Sequence, residues 1–205
     1  MKKIERVAKS LMALGLVSLM IVLVMPDIAT SAVVITATVS STMTGCTTPM
    51  DGVTNNFGPI TNLSVFTATT TSTTVQSSGA IYMKVYDVGS NTIGYGGLWK
   101  SPDIIPSPSS TYSATATLVA GSVGFGIQAE VLPAAGMGLN AWYNYATSGT
   151  IVGRLNPLVA SSTVVASSAA AVADKEVRVY YKVAVNINTP GGAYQDTVTF
   201  TCSTS

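Results

Sequence analysis

The residues able to do chemistry are few in this chain, and their absences are informative. Its 205 residues include no histidine. That excludes Ser-His-Asp hydrolysis, Cys-His nucleophiles and imidazole metal ligation. Two cysteines, Cys46 and Cys202, are too few for a structural zinc site, and no acidic loop has the spacing of a calcium hand. The expectation is a protein without metal or cofactor. The closest pair of carboxylates, Asp174 and Glu176, has the components of glycosidic acid–base chemistry. Lys175 and Arg178 interleave them, however, and the pattern reads as the solvated start of a strand. Gly124-Phe125-Gly126-Ile127-Gln128-Ala129 matches the G-x-G-x-x-A spacing of a dinucleotide loop. Phosphate binding needs such glycines to open a helix, whereas these lie inside an alternating run that reaches Pro133. No enzyme activity is expected.

One constellation has binding potential. Trp142, Tyr143 and Tyr145, with Trp99, are candidate binding aromatics, because rings on loops can stack on a sugar face or anchor a protein interface. Core packing is the competing reading. Asn62-Leu63-Ser64 is a glycosylation sequon, and the Ser/Thr runs could carry O-glycans.

The N-terminus places Lys2, Lys3, Arg6 and Lys9 before an uncharged run of 15 residues, Leu11 to Met25, followed by Ala29-Thr30-Ser31-Ala32. Basic region, apolar region and small residues are the parts of a secretory signal peptide, and the run is shorter than the ~20 residues of a spanning helix. Residues 1–32 are therefore read as a signal peptide and 33–205 as one domain. Membrane contact is expected only if that leader stays uncleaved. Residues 33–205 carry six basic and seven acidic side chains, a net charge of −1, so there is no basic patch for nucleic acid. In an exported protein, Cys46 and Cys202 are expected to form a disulfide.

The elements follow from alternation. Val177, Val179, Tyr181, Val183, Val185 and Ile187 fall on one phase, and Tyr194, Val198, Phe200 and Cys202 on one phase of the next run, with Thr189-Pro190-Gly191-Gly192 between them. The two runs read as a β-hairpin. Val33–Met43 reads as the first strand, Cys46–Pro59 as a loop, Leu63–Thr69 and Ala80–Val88 as strands, and Thr70–Gly79 as either. Three prolines near Trp99, at 102, 106 and 108, exclude a central strand there. Thr111–Ala120 and Ser122–Leu132 alternate, Thr150–Leu155 reads as a short strand, and Ser161–Ala173 reads as a loop or a helical turn. About eight strands without an amphipathic helix imply an all-β antiparallel sandwich, with a closed barrel as the alternative.

The alternating Thr/Val first strand, the Cys after it, Phe57-Gly58, Gly124-Phe125-Gly126-Ile127 and the closing Tyr181-Lys182-Val183 … Thr189-Pro190-Gly191-Gly192-Ala193-Tyr194 … Asp196-Thr197-Val198-Thr199-Phe200-Thr201 together resemble secreted bacterial surface β-sandwich modules. The spore-coat U and fimbrial-subunit type is similar at both ends, as are the WxL-like surface domains. The resemblance implies a secreted or cell-surface structural protein, associating with itself as a coat or filament subunit or with other surface proteins. The alternative is an adhesin-like module that binds carbohydrate or another surface through its aromatics. Strand donation by Val33–Met43 to a neighbouring subunit is one route to a filament, and its closure onto its own sheet is the simpler arrangement.

Overall fold

The two runs that close the chain belong to different sheets. The computed structural model describes residues 34–44, 53–68, 71–87, 96–107, 115–144, 151–153 and 163–204. In chain order its strands are β1 (Ile35–Thr44), β2 (Val53–Ile60), β3 (Phe66–Thr67), β4 (Thr71–Ser77), β5 (Ile81–Asp87), β6 (Gly97–Lys100) and β7 (Asp103–Pro106). They continue as β8 (Thr115–Thr117), β9 (Gly124–Leu132), β10 (Gly138–Leu139), β11 (Ile151–Gly153), β12 (Thr163–Ser168), β13 (Val172–Ala184) and β14 (Gly192–Thr204). One sheet has the order β10-β12-β5-β14-β1-β2, with β6 also paired to β14 and β7 to β6. The other has the order β3-β13-β9-β11-β8, with β4 also on β13. The fold is all-β, as the alternation predicts.

The expected hairpin is corrected. Strand β13 pairs with β9 on one side and with β3 and β4 on the other. Strand β14 pairs with β1 on one side and with β5 and β6 on the other. Each is an interior strand of its own sheet. The seven residues between Ala184 and Gly192 are too many for the usual hairpin loop of about two to five, and enough to turn between layers about 10 Å apart. This corner is held by hydrogen bonds. Asn188 N–H donates to Asn186 Oδ1 (2.9 Å), Thr189 N–H to Asn186 O (3.1 Å) and the Tyr194 hydroxyl to Pro190 O (2.9 Å). Lys100 Nζ adds a bond to Gly191 O (2.8 Å) and lies 5.5 Å from the centre of the Tyr194 ring.

A second difference is the parallel pairing of β1 with β14, from Ile35 against Gly192 to Thr44 against Thr201. The other ladders described are antiparallel, so a purely antiparallel sandwich is not what forms. Two segments without strand signals are also strands. Val53–Ile60 was expected to be loop because of Asn55, Asn56, Gly58 and Pro59. Its position at the sheet edge tolerates proline, and Gly58 at φ 67° with a register shift opposite Thr36–Thr38 absorbs the extra length. Thr163–Ser168 pairs with β5 across a shift between Val164 and Ala166; tertiary pairing overrides its small-residue composition.

The core lies between the inner phases of the two sheets. Ile35, Ala37, Met83, Val85, Val198 and Phe200 come from the first sheet, and Phe125, Ile127, Val177, Val179, Tyr181 and Val183 from the second. Phe57 of β2 meets Phe125 of β9 edge-on, with centroids 6.4 Å apart at 81°, and Phe125 lies parallel to Tyr181 at 6.4 Å. Such contacts add to the free energy of ring burial. Replacing Tyr194 by Phe keeps the ring and deletes only the bond to Pro190, so stability should fall by about 1 kcal/mol. Urea unfolding of the two proteins checks this, with an unchanged midpoint as the contrary result.

Candidate functional site

The candidate aromatics separate. Trp99 lies on β6, half-buried, and its backbone pairs with Gln195. Trp142 and Tyr143 sit in a 3-10 turn, Ala141–Tyr143, whose first N–H groups are capped by Asn140: its Oδ1 accepts from Trp142 N (3.0 Å) and its Nδ2 donates to Val164 O (2.9 Å). Trp142 packs partly buried against the core, and Tyr143 is 1% exposed. Burial pushes the Tyr143 phenol up to about 12, against the opposing effect of a hydrogen bond with Thr163. Tyr143 is therefore a core residue with no ring face to offer a ligand. Tyr145 and Cys46 lie outside the described residues. Cys202 is half-buried on β14, packed against the core.

Charged groups gather on the outer phase of the second sheet. Arg178 forks onto Glu176, with Nε–Oε1 at 2.8 Å and Nη2–Oε2 at 3.0 Å, and its Nη1 is 3.6 Å from Glu130 Oε1. The Tyr180 hydroxyl also donates to Glu130. Hydrogen bonding to Arg178 holds the Glu176 carboxyl below its ordinary value. Asp174 stands apart at a register irregularity, with φ 53°, and accepts from the Gln76 amide. Asp174 and Glu176 thus have separate partners, and neither arrangement is that of a proton-transfer pair. Lys182, on the same phase, is 5% exposed, and burial lowers its ammonium pKa.

The sheet edges differ in their chemistry. An edge strand presents unpaired N–H and C=O groups, and natural edges are usually kept short or interrupted by proline, bulges or charge. Edge β2 carries Pro59 and the Gly58 irregularity. Edges β8 and β10 have three and two residues. Strand β4 has seven, Thr-Ser-Thr-Thr-Val-Gln-Ser, with no charge, proline or glycine. One of its sides pairs with β13 from Thr71 against Val179 to Ser77 against Val172. Val75 and Thr73 are buried on the inner phase, while Ser72 and Gln76 are exposed. Sequence reading left this segment undecided between strand and loop, although its run of β-branched residues was the available signal.

Two buried acids were also missed. Asp87 and Asp196 are 0% and 4% exposed and lie on the apolar phases of β5 and β14. Their positions among Ile81, Met83, Val85 and among Tyr194, Val198, Phe200 were visible in the alternation.

No protein-family model matches this chain, and no curated protein does.

The placement of Tyr143 yields a test. Tyr143→Ala should cost roughly 3–5 kcal/mol, the range for removing a buried ring, and Tyr143→Phe about 1 kcal/mol. Denaturant midpoints check both, and a Tyr143→Ala protein as stable as the parent would contradict the core assignment.

Proposed function

We propose that this chain is a secreted or cell-surface structural protein, non-enzymatic, that associates with copies of itself through the β4 edge. The observation that carries the reading is the contrast among the edges. Three have a recognised safeguard against pairing, whereas β4 offers seven uncharged residues without one. Among the described residues β4 pairs with β13 alone, and antiparallel pairing of two β4 strands about a two-fold axis would extend the sheet and give a closed dimer. A larger coat needs a second contact. Strand donation by β1 is less favoured, because β1 already pairs with β14 and β2 of its own chain.

Export is supported by the N-terminal pattern and by the cysteines. Thr44, at the end of β1, pairs with Thr201, the neighbour of Cys202. Cys46 follows two residues later in the sequence, outside the described residues. A Cys46–Cys202 bridge would fasten β1 to β14 and close a long loop, worth about 4–5 kcal/mol on the chain-entropy model. A non-catalytic role is supported by the lack of histidine and by the engagement of Glu130 and Glu176 with Tyr180 and Arg178.

The test places charge on the edge. Thr74→Lys with Gln76→Lys should abolish self-association in sedimentation velocity while shifting stability by no more than about 0.5 kcal/mol, as at other surface sites. Association that persists in the double variant, or a parent that stays monomeric at high concentration, would remove the β4 interface.

A further inference from the structure

Strands β5 and β6 lie on the same side of β14, and among the described residues neither pairs with Asp196 or Thr197. The last β5 pair on this stretch is Asp87 with Val198, and the β6 pair is Trp99 with Gln195. Between these points β14 presents Asp196 and Thr197. Asp87 and Asp196 both point into the core here, nearly or fully buried. Asp87 Oδ2 accepts from Gly97 N (2.7 Å), the first residue of β6. Asp196 Oδ1 accepts from Thr197 N (2.7 Å), while its Oδ2 is buried with no donor. Asp196 is two residues from Val198, the register partner of Asp87, and on the same buried phase, so the two carboxyl groups are diagonal neighbours across the β5–β14 ladder. Two ionised carboxylates so placed would repel in a site from which water is excluded. One proton both removes a charge and supplies the missing donor.

We propose that Asp87 and Asp196 share a proton in the folded protein, forming an acid–carboxylate joint that ties the end of β5 to β14 and, through the Asp87 bond to Gly97, to the start of β6, and that loosens as pH rises. Burial holds the Asp196 carboxyl well above the usual carboxylate range, and the neighbouring Asp87 charge adds to this. The surrounding charges are turned elsewhere. Strands β1, β2, β3, β4 and β12 contain no acidic or basic residue, nor do β8, β10 and β11. On β5, Lys84, Tyr82 and Tyr86 take the opposite phase, and Lys100 of β6 is bound to Asp103 of β7 (2.7 Å). Glu130 of β9 and Glu176, Arg178 and Lys182 of β13 are on the outer phase, and Lys175 reaches Pro133 O. The phenols of Tyr143, Tyr181 and Tyr194 face the core, with that of Tyr194 bound to Pro190; on the same phase of β14 is the Cys202 sulfur.

The joint controls how firmly the β6–β7 hairpin is attached. Gly97 has φ 139°, and a Cβ there would collide with the Ile105 carbonyl, so the start of β6 is pressed against β7. Releasing the Asp87 bond to Gly97 loosens the start of β6, while the Trp99–Gln195 pairing and the Lys100 bond to Gly191 O still hold its other end.

The sign follows from linkage. A carboxyl whose pKa is raised on folding binds more proton in the native state than in the unfolded chain. Its stabilising effect is complete below the unfolded value, about 3.9, and declines as pH rises from there through the folded value. Thermal melts of the parent and of Asp196→Asn measure it. The amide keeps the shape and donates to Asp87 without titrating. The parent Tm is expected to fall by about 4 °C or more relative to Asp196→Asn between about pH 4 and pH 8. Infrared spectra of the parent near neutral pH should also show a protonated carboxylic carbonyl band that Asp196→Asn and Asp87→Asn lack. If neither variant folds, that band in the parent decides alone. Parallel Tm profiles for folded parent and variant, or no such band, would overturn the shared proton. So would a calcium-dependent rise in the parent Tm that is lost in Asp196→Asn, since it would mean two ionised carboxylates around a cation.

Discussion

The structure depends on a corner. Residues 185–191 carry the chain from β13, an interior strand of one sheet, to β14, an interior strand of the other. The bends at Asn186 and Thr189 and the bond from the Tyr194 hydroxyl to Pro190 O fix its shape. The direction of β14 then determines its neighbours. With β14 started at this point, Gly192 N–H donates to Val34 O (3.1 Å) and β1 runs parallel to it over ten residue pairs.

Once both long strands are fixed, their inner phases face each other and the core follows. Valines and aromatics from β13 and β14 supply its centre, and the Phe57–Phe125 contact joins β2 to β9 across the layers. The ends of the ladders are where polar groups enter. At one, the second sheet stops at β4 with an uncharged edge. At another, beside β14 where β5 ends, Asp87 and Asp196 place two carboxyl groups on the buried phase.

Much of this was legible from alternation. The all-β class, the strands β1, β5, β9, β13 and β14, and the inner phases of the long runs follow from period-two patterning. What remained hidden was pairing. A Pro-Gly-Gly segment between two alternating runs fits a hairpin and a sheet-to-sheet corner equally well, because local turn chemistry does not specify which layer the next strand joins. Tyr194 shares the apolar phase of its strand with Val198 and Phe200, while its phenol also binds the corner. Val53–Ile60 and Thr163–Ser168 were obscured by Asn, Pro and Ser, whose local preferences yield when a neighbouring strand supplies the ladder. Among the candidate site residues, the phase of Tyr143 gave no guide to its burial, since a 3-10 turn has neither the helical nor the strand period. Asp87 and Asp196 could have been found: each is an acid on the apolar phase of a strand, a place where charge is costly unless a proton or partner accompanies it.

The most direct test of the account is a map of cross-strand nuclear Overhauser contacts in the isotope-labelled protein. The account predicts parallel contacts between β14 and β1, with Val39 beside Asp196 and Met43 beside Phe200, and antiparallel contacts of β14 with β5, with Val198 beside Asp87. A ladder of contacts between β13 and β14, running outward from the Thr189–Gly192 turn as in a hairpin, would contradict it.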